Sequence, residues 1–509
     1  MKNSATSKSL KAILLASGSA TLFSVTGALA DNNEALIDQT GAGNSLLIDQ
    51  SAAEASSVGY FKATPSGPGG VIDGIAKQVG DENSLSVTQT GRGHSVATGP
   101  GQNGRAEQRG DDNTLTITQT RDVNQTNDFG NEVALVLQEG DNHSAAITQT
   151  AENRGNLANL RQNNDAGEDG NEATITQNNN NTDTGNSRNR VMTSTTDGGV
   201  NQSGQRNSAT VDQDGMRLQL RHLRQTGDDN IASVTMTGSD NGNAPYDLTG
   251  DFSGASGATG SEVNQIGNRN KAELTIGGSG NNFGTEQEGD DNLALDIDVV
   301  GIDNSVGVGQ FGDNNEIDLS SIAGSDNSVG FNQTGNDNFA SATVKDDNNS
   351  ALISQVGNDN ETWLNVTGDN NIATLGVTGN DNYANGLQAG DGNVLTLDFN
   401  GNGNNAVGFS SRFSDNALNV RDFVRASTPG DATFRRGDLF QVGNGNTMTI
   451  TGSLADNNSF AMFQGGDNNS ITGRIENGSF NQAVVAQVGS GNSANFTQSG
   501  NNNNLGIVQ

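Results

Sequence analysis

The chain has 509 residues, no cysteine and a formal net charge of −33. Apolar residues make up 31% and aromatics 4%, against 69 glycines, which excludes an ordinary compact core. The charge argues against nucleic acid and anionic membrane surfaces as partners, and the missing cysteine excludes disulfides, thiolate metal sites and thiol catalysis.

Residues 1–30 read as a signal peptide that stands apart from the fold. Lys2, Lys8 and Lys11 give a basic start, an apolar stretch runs from Ala12 to about Val25, and Ala28-Leu29-Ala30 supplies a cleavage site. The stretch is too short and too rich in Ser and Gly for a spanning helix. No later apolar run reaches the roughly 18 residues of a membrane helix, so no membrane insertion is expected.

From residue 31 to 509 one pattern recurs: Gln-x-Gly-x-x-Asn-x-Φ-x-Φ-x-Gln, with Φ small or aliphatic. Gln78, Gly80, Asn83, Leu85, Val87 and Gln89 form a complete copy. Gln108, Gly110, Asn113 and Gln119 mark another, and Gln202, Gly204, Asn207 and Gln213 a third. At the far end, Gln487, Gly489, Asn492 and Gln498 run straight into Gly500, Asn503 and Gln509. A repeat of this kind means one supersecondary unit stacked on itself.

Within a copy, Asn83, Leu85, Val87 and Gln89 share one parity, while Ser84, Ser86 and Thr88 take the other. Period two predicts a β-strand with one buried face, amides included. Gly-x-x-Asn supplies the turn, since Gly and Asn tolerate left-handed backbone angles and Asp favours turn positions. Two such units make a coil of about 22 residues. Gln265, Gln287, Gln310, Gln333 and Gln355, followed by Gln441, Gln464, Gln487 and Gln509, read as one column at that step. The predicted fold is therefore all-β: a flattened β-solenoid of about eighteen two-strand coils, parallel strands about 4.8 Å apart. Unpaired buried amides cost about 1–3 kcal/mol each, so inward Gln and Asn are expected to pair coil to coil as ladders. Extra residues near 51–77, 91–107, 120–130, 178–201, 237–264 and 423–440 read as loops extruded at the turns. The segment from about 299 to 410 is the cleanest, and nothing marks a second domain.

Enzyme chemistry finds little support. His94 and His143 occupy the Asn slot, where a structural role is expected, and His222 lies in a basic run from Arg217 to Arg224. Carboxylates sit mainly in turns, where they serve solubility. Their spacing lacks the calcium-binding nonapeptide pattern, so neither a metal nor a cofactor is expected. Arg436-Gly437-Asp438 spells an integrin-binding tripeptide of the sort that arises by chance. Thr114, Thr116 and Thr118 fit an ice-binding row, but Ser208-x-Thr210-x-Asp212, Glu316-x-Asp318 and Glu361-x-Trp363 break it.

The spaced motif resembles the curlin repeat, Ser-x5-Gln-x-Gly-x-x-Asn-x-Ala-x3-Gln. Gln202, Gly204, Asn207, Ala209 and Gln213 match its core position by position, as do Gln487, Gly489, Asn492, Ala494 and Gln498. The resemblance covers nearly all of residues 31–509, with several times the usual number of repeats and with unusually long insertions. It implies a bacterial functional amyloid, exported through both membranes with the help of outer-membrane export machinery and polymerised at the cell surface. The expected function is a secreted, non-enzymatic structural protein that assembles with itself or with curlin-like subunits into matrix fibres, serving adhesion, aggregation and biofilm formation. An uncapped edge strand at Gln498–Gln509 is expected to template such pairing. The alternatives are a monomeric solenoid adhesin or spacer and, further off, an ice-binding solenoid.

Overall fold

A computed structural model describes residues 11–17, 22–26, 34–58, 61–62, 71–72, 76–97, 105–121, 130–152, 156–179, 188–191, 198–242, 261–318, 321–405 and 434–509. Every regular element among them is a strand. All described pairings are parallel except a short hairpin of Phe61–Lys62 with Val71–Ile72. No helix of the described residues is long and apolar enough to cross a membrane.

The alternation in the sequence becomes a two-sheet β-solenoid. Along Ser84–Arg92, Leu85, Val87 and Gln89 are buried and Ser84, Ser86 and Thr88 are not. Successive strands alternate between a front sheet, which begins with Glu34–Thr40, and a back sheet, which begins with Ser45–Glu54. Thr114–Arg121 lies in register between Ser84–Arg92 and Ser144–Ala151, so Leu85, Leu115 and Ala145 stack, and Val87, Ile117 and Ile147 stack beside them. The core is thus a thin slab two side chains deep, which is how so few apolar residues suffice.

The chain divides into two compact units of this architecture. One comprises Met1–Ala244, Ser261–Asn270 and Ile276–Gly280, the other Pro245–Gly260, Lys271–Thr275 and Asn281–Gln509. From residue 34 onwards the first holds eight described coils and the second nine, close to the expected eighteen. Part of the expected leader joins the first unit: Lys11–Ser17 pairs with Glu34–Thr40, and Leu22–Thr26 with Ser45–Asp49. The rest of residues 1–30 lies outside the described residues.

The insertion expected near 120–130 falls at a turn, between Thr114–Arg121 and Glu132–Glu139, but three others leave the stack elsewhere. Ser57–Val58 pairs with the start of Glu34–Thr40 and Ala76–Val79 with its end, so residues 59–75 leave from the middle of a strand. Arg190–Val191 and Gly199–Ser203 share Leu157–Asn163 in the same way, with residues 192–198 between. Ser95–Val96 and Arg105–Arg109 likewise share Glu132–Glu139. These are not turn loops. Both halves of a split strand keep their ladder partners, whereas a lengthened turn would break the stacked turns on either side. The interiors of these insertions, and residues 406–433, lie outside the described residues.

At the turns, Gly80, Gly110, Gly335 and Gly357 all have φ between +112° and +117°, a region essentially reserved for glycine. The residue before the repeat Asn is left-handed, as at Asp112 (φ 59°) and Asp337 (φ 56°), while the Asn itself is not. The Asn slot is therefore filled for its amide and not for its backbone tolerance, which corrects the turn reading above. A Cβ on Gly335 would lie 2.0 Å from the Gly357 carbonyl oxygen, whereas one on Gly392 (φ +64°) would meet nothing within 4 Å. Gly335→Ala should cost about 3 kcal/mol or more, and Gly392→Ala about 1 kcal/mol. Urea unfolding of the two variants measures the difference, and equal losses would contradict the stacked-turn geometry.

Candidate functional site

An amide with one hydrogen donated across a coil still has one hydrogen and one oxygen to place, and in a stack both point along the axis. In the front sheet of the first unit, Gln39 Nε2 donates to Gln78 Oε1, and the chain of donors continues through Gln108, Gln138, Gln162, Gln202 and Gln225 to Gln265 at 2.8–2.9 Å. In the back sheet a second ladder runs Gln50, Gln89, Gln119, Gln149, Gln177, Gln213 at 2.7–2.9 Å. Ladder nitrogens also donate across the core, as Gln138 does to the Thr114 carbonyl at 3.1 Å. Every ladder runs one way: Nε2 donates toward the C-terminal coil.

The second unit divides what the sequence suggested was one column. Gln287, Gln310, Gln333 and Gln355 form a ladder in the front sheet at 2.8–2.9 Å. Gln388, Gln441, Gln464, Gln487 and Gln509 form another in the back sheet at 2.7–3.0 Å. A constant step of about 22 residues cannot distinguish the two, because shifting by half a coil keeps the parity and changes the sheet. Beyond Gln355 the front slot holds Val377, Phe399, Gly452 and Ile475 before Gln498. The last donor of that run is accommodated locally, since Gln355 Nε2 reaches the buried Thr362 hydroxyl at 3.0 Å.

Asparagines make a second kind of ladder. Asn338 Oδ1 accepts the Asn360 N–H at 3.2 Å and its Nδ2–H at 2.9 Å, while Asn338 Nδ2 donates to the Gly357 carbonyl at 2.7 Å. Asn83 and Asn113 are joined in the same way, as are Asn207 and Asn230. At the C-terminal end the Asn492 and Asn503 N–H groups reach Asn469 and Asn481 Oδ1. A third ladder was not anticipated. The Asp81 N–H donates to Asp111 Oδ1 and the Asp111 N–H to Asp141 Oδ1, both at 2.7 Å. In the second unit Asn336, Asn358, Asn380 and Asn402 do the same at 2.8–2.9 Å. The recurrence of Asp or Asn directly after the turn Gly is the sign the sequence carries, where it reads as turn chemistry and solubility.

His94 and His143 imitate Asn. His94 Nδ1 accepts the Asn131 N–H at 3.3 Å and its Nε2–H donates to the Thr90 carbonyl at 2.8 Å. His143 Nδ1 accepts the Asn171 N–H at 3.0 Å and its Nε2–H donates to the Glu139 carbonyl at 3.1 Å. Both partners require the neutral ring with its proton on Nε2. Burial pushes the His94 pKa down to about 4, with nearby Arg121 adding to the effect, and burial also lowers that of His143.

Other candidates are placed less favourably. Arg436 and Asp438 are buried, and Asp438 Oδ1 accepts from Asn385 Nδ2 at 2.8 Å, so the tripeptide is not displayed. His222 stands 3.6 Å from Glu262 on the front sheet. Among the described residues no group of three or more His, Asp or Glu gathers as a metal site. Thr114, Thr116 and Thr118 lie in register with Ser144, Ala146 and Thr148, and the row meets Asp212 further along.

Residues 80–120, which run from one turn Gly through two back-sheet strands, match the family model described as a curlin associated repeat. A comparison with curated proteins found no match. The fold and ladders define a β-solenoid built on buried amides, and within it residues 80–120 are similar to a curlin associated repeat.

Gln333→Ala removes the acceptor of Gln310 and the donor to Gln355 and leaves a void, for a loss of roughly 3 kcal/mol. Gln333→Leu should cost less, since Val377 fills the same slot, and Ser354→Ala on the outer face should stay within about 0.5 kcal/mol. Denaturant unfolding ranks the three, and a Ser354 effect as large as that of Gln333 would remove the ladder from the account.

The histidines bind a proton less readily in the fold than when unfolded. The contribution of His94 is complete above about pH 6.5 and is lost as pH falls toward 4, where the unfolded chain binds more protons, and that of His143 is lost in the same direction. The His94→Asn variant should resist acid better than the natural chain by about 3 kcal/mol at pH 4 while matching it at pH 7.5. Coincident pH profiles of unfolding would exclude this role.

Proposed function

We propose that this protein is a secreted structural component of an extracellular matrix. Its coils dock coil upon coil, copy upon copy, into curli-like cross-β fibres that serve adhesion and biofilm formation at a bacterial surface. The observation that carries this reading is the amide ladder. A Gln side chain that pairs only with its like along the axis leaves the outermost coil of a stack ready to pair again, and its strands present backbone donors and acceptors beside it. The curlin repeat points to the same structural class. Residues 1–30 serve as the export leader in this reading, and passage across the outer membrane depends on dedicated export machinery. Other curlin-like subunits can join the same ladder.

The net charge of −33 keeps separate copies apart, so assembly should quicken as salt screens it. The exported chain, recovered from an expressing bacterium and diluted into buffer, should gain thioflavin fluorescence after a lag that shortens several-fold between 20 and 200 mM salt (about 20 to about 7 Å of screening length). Its fibres should diffract at about 4.8 Å along the axis. A chain that stays monomeric for days and seeds nothing would instead be the solenoid spacer.

A further inference from the structure

The outer face of the front sheet in the first unit carries a charge opposite to that of the chain as a whole. One outward column runs in register beside the ladder glutamines: Lys77, Glu107, Leu137, Arg161, Asn201 and Arg224. Arg105 and Arg109 flank Glu107 on its own strand.

The acids of this face are engaged where they stand. The Glu107 side chain is 6% exposed and lies 2.8 Å from Arg109, 3.8 Å from Arg105 and 3.9 Å from Lys77, whose own side chains are 35–46% exposed. One buried carboxylate thus sits beneath three cations that face solvent. Glu132 lies 3.4 Å from Arg188 and Glu262 lies 3.7 Å from Arg221. Glu139 is exposed, at the rim beside the turn, and it too lies 3.9 Å from Arg109. Arg161 and Arg224 are exposed. In a chain of net charge −33, this face turns its cations outward.

The fold also opens on this face. The strand breaks after Val58, Val96 and Val191 fall in one column, because Val58 pairs with Val96, Val96 with Val133, Val133 with Ala158 and Ala158 with Val191. Insertions that leave a solenoid along one line often mark the face it uses for binding.

We propose that this face binds an acidic polysaccharide, laid along the solenoid axis with its carboxylates on the arginines. A guanidinium grips a carboxylate through two parallel hydrogen bonds. From Lys77 to Arg224 the column rises through successive coils for about 24 Å, a length that takes several sugar rings. Asn201, between Arg161 and Arg224, offers an amide to the sugar hydroxyls. The column stands roughly 10 Å along its strands from the acidic turns, beyond the screening length of about 8 Å at physiological salt. Nucleic acid fits less well. A duplex carries one charge per about 1.7 Å, far denser than one per sugar ring, so the acidic chain opposes it more. Single strands are held by aromatic platforms, and this column has no aromatic residue.

Binding here does not depend on fibre formation, so the exported chain can be tested freshly diluted and still soluble. Labelled polygalacturonate, followed by fluorescence anisotropy at about 150 mM salt, should bind, and neutral dextran should not. Arg161→Gln/Arg224→Gln should weaken binding at least tenfold, roughly the worth of one charged hydrogen bond, and leave denaturant unfolding unchanged. Arg224→Gln alone repeats the test with a smaller loss should the double variant unfold. Arg474→Gln, on the front sheet of the second unit, should bind as the natural chain does. No binding of polygalacturonate, equal binding by the folded variants, or dextran bound equally well overturns the inference. Tighter binding of a DNA duplex than of polygalacturonate overturns it too. Each of these results leaves the fibre reading standing.

Discussion

The rest of the structure depends on the pairing of one buried carboxamide with an identical one above it. A carboxamide brings donors and acceptors in equal number, so a column of them satisfies itself and no single member is satisfied alone. Burial would otherwise cost about 1–3 kcal/mol per amide. Repetition turns that penalty into a requirement for register: slipping a strand by one residue would send every amide to solvent and every serine inward. The amides thus specify alignment, while Leu85, Leu115 and their neighbours contribute burial.

Much of this was legible in the chain, because period two and a step of about 22 residues are properties of spacing. Parity alone identified Asn83, Leu85, Val87 and Gln89 as one face, and they are buried together. What spacing could not carry is phase. Gln355 and Gln441 stand at compatible intervals, yet they belong to opposite sheets, because the repeat of half a coil is the same as that of the whole. Insertions escaped for a related reason: a strand that leaves its sheet and returns keeps its pairing, and the sequence shows only a delay.

The histidine slots show which property of Asn the fold selects. The slot takes a side chain with an acceptor toward the next coil and a donor for a nearby carbonyl, and a neutral imidazole provides both, its Nε2–H reaching the carbonyl four residues back where Asn338 Nδ2 reaches Gly357 in the next coil. The backbone angle is irrelevant there, since the left-handed residue is the one before. Substitution tolerance in this repeat therefore follows hydrogen-bond topology more closely than size. The exception proves informative on the Gln slot, where Val377, Phe399 and Ile475 replace the amide outright because a column can be wholly apolar as well as wholly amide. Mixed boundaries leave orphans, as at Gln388 Oε1 above Val366 and Gln498 Oε1 above Ile475.

Charge is distributed by the same logic, on the outside. A turn Asp accepts a backbone N–H from the coil before it, and so does a turn Asn, at nearly the same distance. The hydrogen bond therefore does not require a carboxylate. Where Asp81, Asp111 and Asp141 follow one another, like charges are held about 5 Å apart and repel by about 1 kcal/mol per pair in water, less in salt. The chain tolerates this within itself because its coils are covalently joined and cannot separate. Two copies have no such bond, so an acidic turn opposes association far more than it opposes folding. Asn336, Asn358, Asn380 and Asn402 fill the same role without charge. Each choice of Asp over Asn at that position thus sets how readily coils of different copies meet, while leaving the fold of each copy nearly unchanged.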